Sequence, residues 1–529
     1  MTRRAGALGL CAAAALCSAV AVPTAAAQER TGASAPRPAA ARPAVNRAAS
    51  SQDWPAYLFA ARHRSATSGP TTITPDNAGR LRAVWAFQAK PSTGNQPPGG
   101  FSASPTVAAG RIFIGSETGD FYALRKSTGQ VLWHRVLDHE TVGNNGNCKN
   151  AHGITGTATV AIDPRTGRAT VYVPGARYLY ALDAATGALR WKSLVGAPGS
   201  ASVVGAYYNY ASPTVTNGLV YMGVSSSCDE PFVRGGIQAF SQRTGGLRHS
   251  FWTVPSGVVG ASVWSSVAAD SDSAWVTTGD PRYHGLHPFH AYSFLRLDAR
   301  TLALRGSWRL NLPQAADLDF GSSPTLFYGT VGGKQTALVG ACNKNGLYYA
   351  LRRGAPNRGP VWSVQVGAAA HTQQGMCLAS AVWNAPADRL YLAGNATTIN
   401  GRQSFGSVRE VNPGTGATRW IRGLGCSVLG TPALDVTTGV LAVATWSPCL
   451  NGSPAVYLLN AATGGLRATL PILGGAFAQP VFAGRYLLIA DESGQVTAYT
   501  PAAAATRVHC RGWCGAHRGR TLTPPLPVP

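Results

Sequence analysis

The sequence predicts an all-β protein, an eight-bladed β-propeller of four-stranded antiparallel blades. Three observations support this prediction: a composition rich in turn residues, a repeated strand–turn–strand element, and a second repeat of small residues. The 529 residues include 62 Gly, 35 Pro and 13 Trp, which is typical of β-rich chains with many turns. At 45% hydrophobic residues, the chain can bury a large core.

The first repeat is an apolar strand, a turn that usually contains glycine, and a strand ending near tryptophan. Seven copies occur: YALRKSTGQVLW (122–133), YALDAATGALRW (180–191), AFSQRTGGLRHSFW (239–252), LRLDARTLALRGSW (295–308), YALRRGAPNRGPVW (349–362), REVNPGTGATRW (409–420) and YLLNAATGGLRA (457–468). Strands joined by such turns are typical of β-hairpins. An eighth copy is split between VTAYT (496–500) and AVWAF (83–87). The chain ends therefore complete one repeat together, which predicts a ring closed by pairing of N- and C-terminal strands.

The second repeat is a strand of small residues that also occurs eight times. Its copies are SPTV (104–107), TATV (157–160), SPTV (212–215), SSVA (265–268), SPTL (323–326), SAVW (380–383), TPAL (431–434) and QPVF (479–482). Small side chains fit the crowded axis of a propeller, so we assign this strand as the innermost one of each blade. Both repeats thus indicate the same number of blades.

The two ends of the chain differ from the repeats. Residues 1–27 have a basic start, an apolar run and small residues before a cleavage point after Ala27, which is typical of a secretory signal peptide. Residues 28–52, rich in Ala, Pro and Arg, are predicted to be a disordered linker, and residues 501–529 a basic, Pro-rich tail. We therefore expect a secreted protein with the propeller at 53–500. No other apolar run approaches the roughly 20 residues of a transmembrane helix.

The net charge of +23 raises the question of nucleic-acid binding. Only six of the 45 basic residues are lysine, and clusters occur only from Arg30 to Arg47 and from Arg507 to Arg520. A basic stripe interleaved with aromatic residues, the informative pattern for nucleic-acid binding, is absent. We expect no nucleic-acid partner, and only weak attraction to anionic polymers of a cell surface.

The element YALDAATGALRW resembles the repeat of pyrroloquinoline-quinone (PQQ) propellers. This family contains quinoprotein alcohol dehydrogenases, polyvinyl-alcohol-dehydrogenase-like proteins and non-catalytic assembly scaffolds, and the chain is most similar to its secreted PQQ-binding-like and polyvinyl-alcohol-dehydrogenase-like members. The resemblance covers residues 53–500. It implies the fold but does not decide between catalysis and scaffolding, because both kinds of member share the repeat.

Strand order predicts which loops meet at one mouth of the channel. When the strands of a blade are named a to d from the axis outward, the b-to-c turns and the d-to-a connections emerge on one face, here called the b–c face. The c-to-d turns, including the Thr-Gly turns, emerge on the opposite c–d face. Acidic residues, a tryptophan and a lysine from blades 3, 4 and 5 fall on the b–c face. We expect a cofactor site there.

The resemblance to quinoprotein alcohol dehydrogenases implies a role for several of these residues. GVSSSCDEPFVRGG (223–236) resembles a metal-binding segment and makes Glu230 a metal and cofactor ligand. VTTGDPR (276–282) places Asp280 where the family has a metal-binding asparagine. SVWSS (262–266) resembles the segment whose tryptophan stacks under the quinone, which is Trp264 here.

Two further segments supply the proposed catalytic groups. ADLDFGSS (316–323) resembles the segment with the aspartate base, most simply Asp319, although a two-residue shift would select Asp317. In ACNKNG (341–346), Lys344 stands where the family has a cation that contacts the quinone and the base. Lys344 is therefore assigned to both the catalytic and the cofactor-binding set.

The residue types suit this chemistry. Glu230, Asp280 and Asp319 offer hard oxygen ligands to a cation, which would polarise a quinone carbonyl as a Lewis acid. Asp319 would accept the alcohol proton, and Lys344 would stabilise charge on the reduced quinone. Because Asp280 adds a negative charge, either calcium or a lanthanide is expected. Each residue also has an ordinary alternative as a turn, core or surface residue.

Three positions depart from the quinoprotein pattern. GNCKNAHG (146–153) has the single Cys148 where those enzymes have an adjacent cysteine pair, and His152 where they have an arginine that contacts a quinone carboxylate. Cys377-Leu378 replaces an Asn-Trp contact. CRGWC (510–514) followed by Gly-Ala-His is not a haem attachment motif, so we expect a separate electron acceptor.

Removal of Cys11 and Cys17 with the signal peptide leaves eight cysteines, an even number that suits an oxidising compartment. Sequence alone permits 105 pairings of eight cysteines. The positions of these residues in the predicted blades favour Cys148–Cys228, Cys342–Cys377 and Cys426–Cys449, and we expect a fourth pair, Cys510–Cys514, in the tail.

Two functions follow as hypotheses. The first is an exported quinoprotein-like dehydrogenase that oxidises a small alcohol, polyol or sugar with PQQ and a bound metal ion. The alternative is a non-catalytic propeller that binds a protein or a cell surface.

Overall fold

The computed structural model describes residues 52–69, 71–90, 99–138, 153–163, 166–200, 206–227, 229, 231–282, 289–311, 317–368, 377–450 and 452–502. The predicted signal peptide lies outside these residues, as do nearly all of the predicted linker and tail. His152, Glu230, Cys148, Cys228 and the Cys510–Cys514 pair also lie outside them. The boundaries of those end segments therefore remain predictions.

The described strands form eight four-stranded antiparallel blades, which confirms the predicted propeller; the short strand Ala66–Thr67 adds a parallel fifth strand to one of them. Blades 1 to 3 comprise β3 (Thr106–Ala108), β4 (Arg111–Gly115), β5 (Asp120–Arg125) and β6 (Val131–Val136); β7 (Thr159–Ile162), β8 (Ala169–Pro174), β9 (Tyr178–Asp183) and β10 (Leu189–Leu194); and β11 (Thr214–Thr216), β12 (Leu219–Val224), β13 (Gly236–Ser241) and β14 (Leu247–Trp252). Blades 4 to 6 comprise β15 (Ala268–Ala269), β16 (Ser273–Thr277), β17 (Ser293–Asp298) and β18 (Leu304–Arg309); β19 (Thr325–Val331), β20 (Lys334–Cys342), β21 (Leu347–Arg352) and β22 (Pro360–Gln365); and β23 (Val382–Asn384), β24 (Arg389–Ile399), β25 (Arg402–Val411) and β26 (Thr418–Leu424).

The last two blades complete the ring. They comprise β28 (Ala433–Asp435), β29 (Val440–Ala444), β31 (Ala455–Asn460) and β32 (Leu466–Pro471); and β33 (Val481–Ala483), β34 (Tyr486–Ala490), β35 (Gln495–Pro501) and β2 (Leu81–Gln88). The remaining elements are β1 (Ala66–Thr67), the pair β27 (Cys426–Ser427) and β30 (Trp446–Cys449), and 3-10 turns at Ala78–Arg80 and Pro356–Arg358. No helix among the described residues is long and apolar enough to cross a membrane.

The ring closes through pairing of the first long strand with the last. β2 runs antiparallel to β35, with Arg82 opposite Thr500 and Gln88 opposite Gln495. The two halves of the split repeat therefore lie side by side in blade 8, as the sequence predicts. Closure removes the exposed sheet edges that an open array of blades would leave.

Tryptophan and the Thr-Gly turn join neighbouring blades. Gly187 has φ +70°, and a β-carbon on it would lie 2.6 Å from the ring of Trp133 in the preceding blade. The indole N–H of Trp133 also donates to the Ala184 carbonyl at 3.2 Å. The same tryptophan-on-glycine contact recurs with Trp85 on Gly129 and Trp362 on Gly416. Glycine is required at these positions because both its conformation and the close ring exclude a side chain.

Small hydroxyl residues link the innermost strands around the axis. The backbone N–H of Ser212 donates to Ser266 Oγ, and that of Ser266 donates to Ser323 Oγ, each at 2.9 Å. Thr106 and Thr214 hydroxyls donate to carbonyls of the following blade at 2.6 Å. The small-residue repeat therefore supplies hydrogen bonds between blades as well as small volume at the axis.

A segment that no repeat predicts lies inside the channel. Residues 54–67 exchange backbone hydrogen bonds with the innermost strands of blades 1, 2, 4, 5, 6 and 7, including Val160 N–H to the Pro55 carbonyl and Trp383 N–H to the Arg64 carbonyl, both at 2.8 Å. β1 ends this path by pairing in parallel with β28. The Ser and Thr hydroxyls that link the innermost strands are here called the hydroxyl ring. The bonds of residues 54–67 lie closer to the c–d face than this ring does. We call residues 54–67 the channel segment.

Two of the predicted disulfides are present. Cys342 is bonded to Cys377, and Cys426 to Cys449. Both join connections on the b–c face, which confirms the placement of these cysteines in the blades. The predicted Cys148–Cys228 and Cys510–Cys514 pairs stay predictions, since their residues lie outside the described ranges.

Candidate functional site

The loop that enters blade 5 is fastened to the b-to-c turn of the same blade. The backbone N–H of Lys344 donates to the Asp319 carbonyl at 2.9 Å, and Asn343 Nδ2 donates to the Leu318 carbonyl at 2.7 Å. Phe320 and Asn343 form a further backbone bridge. These bonds place Asp317, Asp319 and Lys344 beside one another at the channel mouth.

Lys344 is buried and lies between two carboxylates. Its ammonium contacts Asp317 Oδ1 and lies 2.7 Å from Asp319 Oδ1. Burial alone would lower the pKa of Lys344, but the charges of Asp319 and Asp317 outweigh it and raise the pKa above its ordinary value. Lys344 is therefore a fixed cation of the site, which excludes the alternative of a solvated turn residue.

Trp264 connects the start of blade 4 to this pair. Its indole Nε1 donates to Asp319 Oδ2 at 2.7 Å, while the Lys344 ammonium lies 5.4 Å from the centre of its ring. The distance is within the range of a cation–π contact. Asp319, only 4% exposed, thus receives a cation on one carboxylate oxygen and an indole N–H on the other.

Asp280 joins the site from the b-to-c loop of blade 4. This loop is held against the start of the blade by hydrogen bonds from Ala261 N–H to the Asp280 carbonyl at 2.6 Å and from Gly279 N–H to the Ser262 carbonyl at 2.8 Å. Asp280 Oδ1 is buried and, within the described residues, lacks a hydrogen-bond partner. Burial, together with the charges of Asp319 and Asp317, raises the pKa of Asp280 to about 8.

Asp280, Asp317 and Asp319 form one cluster with metal-ligand geometry. Each offers one oxygen, and these three oxygens lie within 4.8 Å of one another. Oxygen-rich clusters of this kind suit hard cations, whose ligands stand at about 2.3–2.6 Å in the case of calcium. The unpartnered Oδ1 of Asp280 also fits a missing positive charge, because a buried charged oxygen without a partner is costly. The described residues therefore fit a cation.

Asp229 is a further acidic residue near the cluster that the sequence analysis did not select. It accepts a hydrogen bond from Ser226 Oγ, and burial, with a contribution from the charge of Asp319, raises its pKa to about 6. Both Asp229 and Asp317 have positive φ, 57° and 54°. Such strained conformations concentrate at functional sites. The only sequence signal for Asp229 is its position directly before Glu230.

The structure thus brings together Trp264, Asp280, Asp319 and Lys344, four of the six residues selected from the sequence. Asp317, weighed as an alternative to Asp319, lies in the same cluster with its side chain 40% exposed. His152 and Glu230 lie outside the described residues. Their roles remain proposals, as do the catalytic and ligand roles of the four.

The protein is thus a closed eight-bladed propeller, and its acidic cluster forms a candidate site at one mouth of the central channel. Residues 54–375 match the sequence profile of the PQQ family "Glucose/ethanol/alcohol dehydrogenase, beta-propeller domain", so the chain belongs to this PQQ-repeat propeller family. Residues 404–511 match a second profile of the same repeat, described as "Outer membrane protein assembly factor BamB".

Similar proteins agree with this family. A polyvinylalcohol dehydrogenase of Sphingopyxis sp. (strain 113P3) is 25% identical over 322 residues, which are 51% of this chain and 44% of that protein. The chain thus spans less than half the length of this relative. The quinohemoprotein alcohol dehydrogenase structure from Comamonas testosteroni has a TM-score of 0.67 at 18% identity, covering 85% of this chain and 80% of that one. A europium-containing methanol dehydrogenase has a TM-score of 0.65 at 14% identity and coverages of 85% and 98%.

Proposed function

We propose that this protein is an exported quinoprotein-like dehydrogenase that oxidises a small alcohol, polyol or sugar and passes the electrons to a separate acceptor. The observation that carries the proposal is the convergence of Asp280, Asp317 and Asp319 with Lys344 and Trp264 at one channel mouth. Similarity to a polyvinylalcohol dehydrogenase and to quinohemoprotein alcohol dehydrogenase supports the same class of reaction.

The three aspartates would hold the metal ion, and Glu230 would be a further ligand. Trp264 would form the floor under PQQ, with Lys344 and His152 contacting its oxygens. When bound, PQQ supplies a two-electron acceptor and the ion a Lewis acid. The cluster carries three carboxylates against one lysine, so its negative charge suits a trivalent lanthanide at least as well as calcium.

Asp319 would accept the hydroxyl proton of the alcohol. Its carboxylate is held on both oxygens by Trp264 and Lys344, which fixes its orientation before substrate binds. The positive charge of Lys344 would offset the repulsion between the carboxylates of Asp317 and Asp319. It would also stabilise negative charge at the reacting oxygens. Asp317 is more exposed and contacts the same ammonium, so it is the alternative base.

The test begins with purified full-length protein titrated with PQQ in the presence of calcium or lanthanum, followed by dye reduction with alcohols, polyols and sugars. Asp319→Asn should still bind PQQ but lose at least about 10²-fold in turnover. Lys344→Met should weaken both binding and turnover. Asp298→Asn, which alters a surface ion pair with Arg305 on the opposite face, serves as the control and should change neither.

The outcomes separate the two aspartates and the two functions. A large loss in Asp317→Asn with little loss in Asp319→Asn would assign the base to Asp317 instead. Absence of PQQ binding with either metal would refute the dehydrogenase. In that case the scaffold hypothesis, which the match of residues 404–511 to the assembly-factor profile favours, would replace it.

A further inference from the structure

A cavity lies at the other end of the axis, on the c–d face, away from the acidic cluster. Its volume is about 480 Å³, within the size range of small-molecule sites. It is lined by the turn of the channel segment at 60–64 and by the a-to-b hairpins of blades 3 and 4, with Thr216, Asn217 and Asp270 among the lining residues. The channel segment and the hydroxyl ring lie between this cavity and the acidic site.

Two arginines of the channel segment face this cavity. Arg62 is exposed and Arg64 is half-buried. Arg64 Nε is buried and has no hydrogen-bond partner among the described residues. Burial and the charge of Arg62 both lower the pKa of Arg64, and no carboxylate contributes to that shift. Among the described residues, no neighbouring carboxylate therefore balances the positive charge of this pair.

The acidic group of the lining is already engaged. Asp270 Oδ2 accepts from Arg353 Nη1 at 2.9 Å, and its Oδ1 accepts backbone N–H groups of Asp272 and Ser273 at 3.0 and 2.9 Å. Asp270 thus forms an ion pair within the propeller wall and does not neutralise Arg62 or Arg64. The net charge of the side chains that line the cavity is therefore positive.

The backbone holds both arginines in place. The Arg62 carbonyl accepts Leu326 N–H at 3.0 Å, and the Arg64 carbonyl accepts Trp383 N–H at 2.8 Å. Between them His63 is fully buried, with Nδ1 3.0 Å from the Pro324 carbonyl. These bonds fix the backbone from which the two arginine side chains extend, two residues apart. Guanidinium pairs of this kind suit planar or tetrahedral oxyanions, which they bind through paired N–H donors.

We propose that the c–d end of the axis is a second binding site, which takes a small organic anion through its carboxylate or phosphate group. Arg62 and Arg64 bind the oxyanion, while the hydroxyl of Thr216 offers a further polar contact at the rim. This site is separate from the acidic cluster and does not depend on the proposed dehydrogenase activity.

Calorimetric titration of the full chain tests the site, with inorganic phosphate, succinate and the neutral succinamide as probes. Phosphate or succinate should bind with a Kd below about 1 mM, and succinamide should not bind. Arg62→Gln and Arg64→Gln should each weaken binding by roughly tenfold, the loss of about one charge-assisted hydrogen bond. Raising the salt to about 0.15 M should weaken binding as well. If phosphate binds more strongly than succinate, the ligand of the site is a phosphate ester. If succinate binds more strongly, the ligand is a carboxylate.

Arg243→Gln is the matched control, because Arg243 is exposed on the same c–d face in the turn of blade 3. It should leave the affinity unchanged. Arg62 is exposed, so its variant should fold even if Arg64→Gln does not, which melting temperatures will show. The proposal is overturned if neither anion binds, or if Arg243→Gln weakens binding as much as Arg62→Gln does.

Discussion

Trp264 donates its indole N–H to Asp319 Oδ2 at 2.7 Å, so the residue expected to form the floor of a cofactor site also orients the proposed base. Trp264→Phe should keep most of the ring surface and remove the donor. We expect turnover to fall roughly tenfold, as for loss of one hydrogen bond to a charged group.

PQQ affinity of Trp264→Phe, followed by absorbance, should change much less than turnover. Trp191→Phe removes a tryptophan from the outer strand of blade 2 and is the control. Turnover of Trp264→Phe equal to that of the parent protein would show that the indole N–H does not act on the base.

Glu492 of blade 8 and Glu117 of blade 1 meet where these two neighbouring blades adjoin, on either side of Ser102. Ser102 Oγ lies 2.5 Å from Glu117 Oε1 and 2.8 Å from Glu492 Oε1. Burial and the charge of Glu117 raise the pKa of Glu492 from 4.5 to about 8. Because the folded state holds this proton more tightly than the unfolded state, the stability that it contributes is complete below pH 4.5 and is lost as the pH rises towards 8.

Glu492→Gln cannot ionise, so its melting temperature should exceed that of the parent protein at about pH 8 and approach it at about pH 5. Glu410→Gln is the contrasting variant, since Glu410 is buried and paired with Arg389 at 3.0 Å and Arg419 at 2.9 Å. It should lower the melting temperature at neutral pH. A pH-independent effect of Glu492→Gln would contradict the raised pKa.

The contact between Gly187 and Trp133 predicts a difference between two glycines of blade 2. Gly167 and Gly187 have nearly the same backbone conformation, with φ +66° and +70°, but a β-carbon on Gly167 would meet nothing within 4 Å. Gly167→Ala should cost about 1 kcal/mol for the left-handed conformation alone. Gly187→Ala should cost about 1–3 kcal/mol more, because its methyl group would overlap the indole. Denaturant unfolding of both variants measures the difference, and equal costs would rule out the contact as the reason for glycine.

The Cys342–Cys377 disulfide lies two residues from Lys344 in the chain. Replacing both cysteines by alanine should destabilise the protein by about 2–4 kcal/mol. It should also weaken PQQ binding, because Asn343 and Lys344 would lose part of their support. The Cys426–Cys449 pair belongs to blade 7, so its removal should lower stability but leave the quinone affinity as it was. Equal effects on affinity would argue against local support of Lys344.

The sequence predicts the periodic parts of the molecule, because the repeats and the blade contacts have the same cause. The tryptophan and the glycine of the contact between Trp133 and Gly187 recur in the sequence because each blade needs the same contact with the next. Small hydroxyl residues such as Ser212 and Ser266 recur because each innermost strand must form a hydrogen bond with its neighbour. Two disulfides and the grouping of Asp280, Asp319 and Lys344 follow from the blade order together with the family resemblance.

The parts that the sequence does not predict lack such a period. The channel segment is irregular, with positive φ at Leu58, Phe59, His63 and Ser65, and its bonds are to strands of six different blades, so no local pattern indicates them. Asp229 lies near the cluster with a positive φ that no repeat indicates, and Asp317 joins the cluster because Lys344 contacts both Asp317 and Asp319. These placements depend on long-range contacts, which a local pattern does not contain.

The channel segment also has a consequence for the order in which the protein folds. Trp54 bonds to Val107 in blade 1, whereas Ser65, only a few residues later, bonds to Leu434 in blade 7. During synthesis the first of these partners follows within tens of residues, but the second emerges only after most of the chain. Contacts of such sequence separation slow folding. The innermost layer is therefore completed late, and in a growing chain that stops before blade 7 the end of the channel segment, Ser65 to Thr67, lacks its binding partners.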